Sequence, residues 1–318
     1  ARIAAFVQHA CKPDTRRFRN FMGFDRRWLE DSGSEDSHGR TLWALGECAR
    51  SDARASRRSW ATALFIQAAP RVENFSSPRA WAFTLLGLQA LRMAGVVEFR
   101  TAELQHLLAG RLVALLAAVE TPDWIWFEEG LAYDNARLSQ ALIVTGVSTS
   151  RQSYLDAGMK SLRWLAALQT TPGGVFRPVG SQSFGDRRQH PCAFDQQPLE
   201  ATATIAACLA AWRADGDPKW RGYALRAFAW FFGGNDLSIS LVDIETGSCR
   251  DGLHPGRANE NRGAESVVSY LLGLAQIRAM DRHVTHLRHP DADIGSVNMH
   301  STEIRQRSRH FDTEHVRQ

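Results

Sequence analysis

The sequence lacks several features that would each point to a class of protein. No apolar run approaches 18 residues and the N-terminus has no long apolar core, so neither a transmembrane helix nor a signal peptide is expected. The net charge of +4 comes from scattered arginines rather than a basic block, which argues against nucleic-acid binding. No glycine-rich phosphate loop joins a strand to a helix, so a Rossmann or P-loop protein is not supported.

Cysteine and metal-binding patterns are also sparse. The five cysteines are odd in number and unclustered, and Cys48 and Cys208 fall on apolar helix faces, which is typical of reduced core thiols in a cytosolic protein. The spaced histidines of residues 283–289 fit one helix face poorly, and Pro290 follows them. The sequence therefore predicts a cytoplasmic protein with no metal and no cofactor.

A repeated arrangement dominates what the sequence does contain. Five times, a polar loop with acidic residues leads into a helix of almost entirely small or apolar residues: 33–49, 76–95, 127–146, 194–212 and 258–277. A helix that is apolar all round is buried on all sides, whereas the helices between these five have one apolar stripe. This alternation predicts an all-α, two-layer ring of helical hairpins. The inner parts expected to be nearly inaccessible are 41–49, 80–93, 136–146, 200–211 and 266–277.

The number of helices predicts an incomplete ring. The sequence supplies four hairpins, a fifth inner helix and a lone helix at residues 2–11 that could help to close the ring. We expect a toroid domain over residues 1–280, with short β-hairpins in its long loops, and a polar C-terminal extension over residues 281–318. Because the sequence begins without Met and in mid-helix, we expect it to be a fragment of a longer chain.

The first loop, GSEDSHGR, is the strongest candidate for a site. Inner helices that run in one direction gather their preceding loops at one end of the ring, around one cleft. Glu35 and Asp36 are candidate catalytic acids, and His38 and Arg40 are candidate substrate-binding residues. The alternative is a helix N-cap, with acids favoured by the helix dipole.

The loop WIWFEEGLAYDN places aromatic rings beside carboxylates. Rings stack on the apolar faces of sugars while acids bind hydroxyls, so Trp126, Tyr133 and Asp134 are predicted to bind substrate and Glu129 to be catalytic. The alternative is a loop pinned to the core by its tryptophans, with Asp134 as a helix cap.

The other three loops add further polar groups. Glu200 and Glu265 open their helices and are candidate catalytic residues. A buried charge at such a position needs a partner or a function, and Arg40 or Arg262 could pair with Glu265. The remaining candidates for substrate binding are Arg79, Trp81, His190, Asp195, Gln196, His254 and Glu260.

The residues DSHGRTLWALG, YDNARLSQALI and ENRGAES resemble the six-hairpin glycosidase superfamily, the (α/α)6 toroids. They are most similar to the helical domain of bacterial proteins associated with glycosyltransferases. The resemblance implies a carbohydrate partner, and a fusion to or association with a glycosyltransferase. The superfamily includes inverting hydrolases, lyases, phosphorylases and epimerases. The G-H-x-x-E of the N-acylglucosamine 2-epimerases and the Asp-Asp pair of some mannanases are both absent.

Three functions remain open from the sequence. The first is a glycoside hydrolase acting on an oligo- or polysaccharide, whose inverting mechanism needs two carboxyl groups about 6.5–9.5 Å apart. Glu35 or Asp36 would face Glu129, Glu200 or Glu265. The second is a sugar epimerase or isomerase, with proton transfer by His190 and His254. The third is a non-catalytic glycan-binding domain. The sequence does not distinguish the sugar, the linkage or the oligomeric state.

Overall fold

A computed structural model of the chain describes residues 2–96 and 98–288, which are mostly helical. The helices are α1 (Arg2–Ala10), α2 (Glu35–Ser51), α3 (Ala55–Ala68), α4 (Pro78–Met93), α5 (Phe99–Val119), α6 (Ala136–Thr149), α7 (Gln152–Leu168), α8 (Pro198–Asp215), α9 (Pro218–Ala229) and α10 (Ala264–Arg288). Short 3-10 turns occupy Ala69–Asn74 and Ser181–Ser183. Strands β1 (Leu253–His254) and β2 (Arg257–Ala258) form one antiparallel hairpin, with Leu253 opposite Ala258.

Successive helices pair as antiparallel hairpins in two layers. The pairs are α2 with α3, α4 with α5, α6 with α7, and α8 with α9, while α2, α4, α6 and α8 also contact one another in sequence. Ser77 and Asp217 cap α4 and α9 with their side chains, and Pro78 and Pro218 occupy the first helical turn. The all-α hairpin architecture predicted from the apolar periodicity is confirmed.

The inner helices α4, α6 and α8 are buried on all sides over most of the predicted ranges, although Arg92 and Met93 at the end of α4 are exposed. Residues 198–211 of α8 are all buried, because this stretch is mostly alanine, threonine and leucine and offers no charged face to solvent. The outer helix α5 instead buries one stripe, which consists of Leu104, Leu108, Leu112 and Leu116. This difference identifies the inner and outer layers.

Three glycines bring α2 and α4 unusually close together. A Cβ atom added to Gly46 would lie 2.4 Å from the carbonyl oxygen of Gly87, and one added to Gly39 would lie 2.7 Å from that of Ala80. These contacts place the N-terminus of α2 directly against that of α4, where the acidic residues of the first loop lie.

The expected full burial of 41–49 and 266–277 is wrong. Val268, Leu271 and Leu272 of α10 are about half exposed, and Ala44 of α2 is exposed. The physical reason is that these helices lie at the two ends of the row of inner helices. α2 packs on α4, and α10 contacts α8 where Thr202 Oγ1 donates to the carbonyl oxygen of Ser269 at 2.7 Å. Each therefore has an inner-helix neighbour on one side among the described residues.

The last helix runs past the predicted end of the toroid. α10 continues to Arg288, so residues 281–288 of the proposed extension are helical. The chain divides into compact units between Gly273 and Leu274. The domain boundary at residue 280 stays a prediction, and the rest of the proposed extension, including His289, lies outside the described residues.

One helix among the described residues has the length and composition of a membrane span, over Arg100–Val119 of α5. A third of that segment is buried, and its leucine stripe belongs to the hairpin with α4. The apolar helix of a core passes the same criterion, so this composition is weak evidence for a membrane span.

Candidate active site

The N-terminal ends of the inner helices meet through a network of hydrogen bonds. Asp36 of α2 accepts hydrogen bonds from the hydroxyl of Ser77, which caps α4, and from the hydroxyl of Tyr133, which precedes α6. Glu35 accepts from the main-chain amides of Ser76 and Ser77 at 2.8 and 2.7 Å. The gathering of loops predicted from the helix directions therefore occurs for these three helices. The side-chain cap of α2 itself is Ser34, which accepts from the main-chain amide of Ser37.

Arg79 fixes the loop before α6. It is 4% exposed, and it donates from Nε to the carbonyl oxygen of Tyr133 at 2.6 Å and from Nη1 to Glu128 at 2.7 Å. Because its donors are committed to this loop, Arg79 supports Tyr133 rather than offering a free guanidinium to a sugar.

Glu200 and Asp134 form the buried centre of the network. The Glu200 carboxylate accepts hydrogen bonds from the main-chain amide of Asp134 and from the amide and side chain of Asn135, the last two at 3.3 and 3.2 Å. Asp134 in turn accepts from Arg40 at 2.9 Å and from Arg137 at 3.2 Å. Burial, with the nearby charge of Asp134, raises the pKa of Glu200 to about 7.

This burial corrects two predictions. Glu200 and Asp134 have no exposed surface, so in this structure neither can touch a substrate. They join α8 to the loop before α6 and orient Arg40, which also corrects the suggested pairing of Arg40 with Glu265.

Arg40 is the exposed end of this network. Its side chain is 35% exposed, and its guanidinium lies over the ring of Phe83, 4.4 Å from the centroid. Arg40 also lines a cavity of about 790 Å³ between α1 and α2, together with Ser37, Thr41 and Ala44. It is the single predicted site residue in the lining of that cavity, so the predicted residues do not share one pocket there.

A second cluster lies where α8 begins. Nδ1 of His254 is 2.6 Å from a carboxylate oxygen of Asp195, and both side chains are about one-third exposed. The contact with the carboxylate assigns the ring proton to Nδ1 and leaves the lone pair of Nε2 available as a base. Gln196, beside them, is fully buried and acts as support instead of binding substrate.

Two predicted site residues are core residues. His38 is fully buried among the rings of Phe18 and Phe75, and its Nε2 bonds the carbonyl oxygen of Ala68 at 3.2 Å. Burial lowers its pKa to about 4, so it is a neutral core histidine. Trp126 is also fully buried, stacked on Trp164. Neither has a face for a sugar.

Trp81 and Glu129 point away from the network. Trp81 donates from its ring nitrogen to the carbonyl oxygen of Phe75 at 3.0 Å, and Arg111 of α5 lies over its ring, so it faces the outer layer. Glu129 pairs at 2.6 Å with Arg188 on the surface, and this lowers its pKa. Trp81 is therefore not placed to bind a substrate at the network, and Glu129 is not placed to act there as a catalytic acid.

Three further candidates are solvent-facing. Glu265 is exposed at the start of α10 because that helix is an end of the inner row, which corrects its expected burial. Glu260 is 80% exposed and pairs with Arg250. His190 is exposed, and among the described residues it bonds the carbonyl oxygen of Pro191 beside it.

Arg177 and Asp236, which support the second cluster, were missed from the sequence. They lie in the loops that follow the outer helices α7 and α9, whereas the prediction considered the residues directly before inner helices. The one feature of the sequence that could have indicated this pair is that two residues of opposite charge lie in two unusually long loops. Among the described residues, no group of three His, Cys, Asp or Glu side chains is placed to hold a metal ion.

Comparison with solved structures identifies the fold. No family model and no curated protein matches the chain. A GH76 alpha-mannanase from Bacteroides thetaiotaomicron aligns over 87% of this chain and 77% of its own, at 13% identity and a TM-score of 0.61. The chain has the (α/α)6-toroid fold. A D-mannose isomerase aligns with this toroid over 86% and 78% of the two chains (11% identity, TM-score 0.62). A cellobiose 2-epimerase from Spirochaeta thermophila does so over the same shares (13% identity, TM-score 0.61).

Proposed function

We propose that this toroid is a sugar-converting enzyme of isomerase or epimerase type, in which His254 is the base. The observation that supports this most is the hydrogen-bonded pair of His254 and Asp195 just before α8, whose side chains are about one-third exposed. A general base must be reachable by its substrate and hold its lone pair free. The His254 side chain is 29% exposed, and a proton on Nδ1 shared with Asp195 would leave the lone pair of Nε2 free.

The chemistry follows from the position of the ring proton. Nε2 of His254 takes the proton from the carbon beside the carbonyl group of an open-chain sugar, and the released electron pair forms an enediolate. Asp195 stabilises the resulting imidazolium through Nδ1. Return of the proton to the former carbonyl carbon, with the hydroxyl proton of the neighbouring carbon moving to the former carbonyl oxygen, interconverts an aldose and a ketose, while return to the opposite face of the original carbon gives the epimer. The first outcome needs one base, so it fits a single histidine best.

Groups for sugar hydroxyls are available at the same ends of the inner helices. Arg40 has exposed donors, and Tyr133 and Asp36 are partly exposed. The similar structures include a D-mannose isomerase and a cellobiose 2-epimerase, both of which act on sugars. At 11–13% identity they support the substrate class through the fold alone.

A glycoside hydrolase is the second candidate, favoured by Asp36 and by the likeness to an alpha-mannanase. Asp36 is a partly exposed carboxylate held by two hydroxyl groups. The opposing acids predicted from the sequence do not support a pair, because Glu200 is buried and Glu129 and Glu265 face solvent elsewhere. A glycan-binding domain that acts beside a glycosyltransferase is the third.

Solvent exchange separates these functions. The protein is incubated in D₂O with a panel of free aldoses, ketoses and short oligosaccharides, and the sugars are followed by proton NMR. The proposal predicts deuterium at the carbon beside the carbonyl group and a new isomer. New reducing ends without deuterium would instead establish the hydrolase, and binding without either change would establish the glycan-binding domain.

A further inference from the structure

Main-chain pairing brings His254 to Asp195. The amide of Gln196 donates to the carbonyl oxygen of Leu253 at 2.9 Å, and the amide of Leu253 donates back to Gln196 at 3.0 Å. Gly252 has a φ of +143°, and a Cβ atom there would lie 1.9 Å from the carbonyl oxygen of Gln196. The close approach of the two segments therefore requires glycine, and Gln196 determines where β1 lies.

The side chain of Gln196 is held at both ends. Its Oε1 accepts from the ring nitrogen of Trp230 at 2.7 Å, and its Nε2 donates to Asp236 at 2.6 Å and to the carbonyl oxygen of Ala193 at 2.9 Å. Gln196 and Trp230 are both fully buried. An indole nitrogen can only donate, whereas a carboxylate and a carbonyl oxygen can only accept, so these three partners fix the orientation of the amide, and Asp236 is the charged one among them.

Asp236 is held in turn by Arg177. Nε of Arg177 lies 3.0 and 3.1 Å from the two carboxylate oxygens. Burial alone would raise the pKa of Asp236, but the hydrogen bonds from Arg177 and Gln196 outweigh it and leave that pKa below its usual value. Asp236 is therefore an anion that bridges the loop after α7, the loop after α9 and the start of α8.

We infer that Asp236 is a positioning residue for the His254–Asp195 pair and acts through Gln196. It anchors the Gln196 side chain, the Gln196 main chain anchors Leu253, and His254 is thereby presented to Asp195. The catalytic part of this inference rests on the proposed function, while the geometric part does not. In the part of the chain that the structure describes, the Asp236 side chain bonds Arg177 and Gln196 but neither His254 nor Asp195, so its effect is indirect.

The test compares Asp236→Ala with Asp243→Ala. Asp243 is a matched control because it lies in the same loop and pairs with an arginine, Arg262, at 3.2 Å. The readout is the Nδ1 proton resonance of His254 in the NMR spectrum, assigned by its absence from His254→Asn. Asp236→Ala should lose this resonance, since the hydrogen bond to Asp195 is no longer maintained, while Asp243→Ala should keep it.

Turnover provides an independent readout. Displacement of a base by about 1 Å costs on the order of 10²-fold, so Asp236→Ala should lower kcat by that factor with little change in KM. Asp236→Asn should recover part of the loss, because its amide oxygen still accepts from Gln196. If Asp236→Ala does not fold, as judged by circular dichroism, Asp236→Asn and Arg177→Gln are measured in the same way.

Persistence of the His254 resonance in folded Asp236→Ala, or in folded Arg177→Gln where Asp236→Ala does not fold, would overturn the inference. Loss of the resonance in a protein whose wild type converts no sugar would uphold the positioning role and reject the proposed function. Failure of the positioning role and failure of the proposed function therefore give different results.

Discussion

Glu200 of α8 accepts a hydrogen bond from the main-chain amide of Asp134, and the two buried carboxyl groups thereby meet where four inner helices converge. Two guanidinium groups, those of Arg40 and Arg137, balance the charge of Asp134. Glu200 itself has no arginine partner in this network and is bonded by amides alone. The site is therefore supported by a buried acid whose charge is poorly compensated.

This arrangement predicts a loss of stability with rising pH. The pKa of Glu200 is raised from 4.5 to about 7, so the folded state holds its proton between these values while the unfolded state releases it. The stabilisation is complete below pH 4.5 and is lost as pH rises through 7, by on the order of 3 kcal/mol. Denaturant unfolding of wild type and Glu200→Gln at pH 5 and pH 8 measures it. The variant should lose less stability than wild type over this interval. An equal fall in the free energy of unfolding for both proteins would contradict a buried Glu200 that is protonated in the folded state.

His38 predicts the opposite dependence at acidic pH. Its pKa is lowered from 6.5 to about 4, so its contribution is complete above pH 6.5 and is lost as pH falls through 4. The expected loss is on the order of 3 kcal/mol. His38→Phe leaves the carbonyl oxygen of Ala68 without this partner and should lower stability at pH 7, but it should also flatten the decline between pH 6.5 and 4. An unchanged decline would show that His38 is not buried in its neutral form.

The close contact of α2 and α4 predicts a sharp difference between two glycines. Gly46→Ala would place a methyl group against the backbone of Gly87 and should cost about 1–3 kcal/mol, because the helices must separate. Gly110→Ala in α5 is the control, since nothing lies within 4 Å of its added Cβ and alanine favours helix by about 0.5–1 kcal/mol. Thermal unfolding should show opposite shifts, and a stable Gly46→Ala would refute the packing described for these helices.

Asp36→Asn distinguishes the two enzymatic candidates. Asparagine keeps an oxygen that can accept from Tyr133 or Ser77, so the isomerase should retain turnover to within a few-fold. A hydrolase that uses Asp36 as acid or base should lose about 10²–10⁴-fold. Reducing-end release and isomer formation, measured on the same preparations, decide between them. The melting temperature serves as the control for folding.

The sequence predicted the fold because the apolar character of α4, α6 and α8 follows directly from their burial. It also predicted that Asp36, Tyr133, Arg40 and Asp134 come together, because their loops precede helices of one direction. The direction of a helix does not determine how deeply each side chain is buried, however, and positions two residues apart in its first turn point to different sides. His38, two residues after Asp36, therefore enters the core.

Tertiary context accounts for the other errors. Glu265 was expected to be buried, but α10 has an exposed face at the end of the inner row. Trp126 was expected to stack on sugar, but aromatic burial against Trp164 competes with exposure and prevails. Asp236 was missed because its partner Gln196 lies 40 residues away in sequence. Pairs of this kind are brought together by the fold, and no pattern of neighbouring residues in the sequence indicates them.

The role of His254 is tested most directly by deuterium exchange into a free sugar, measured for wild type, His254→Asn and His190→Asn. His190 is the matched control, an exposed histidine that bonds its own loop. Removal of the base should lower exchange by about 10²–10⁴-fold in His254→Asn and leave it unchanged in His190→Asn. Undiminished exchange in a folded His254→Asn protein would contradict the assignment of His254 as the base.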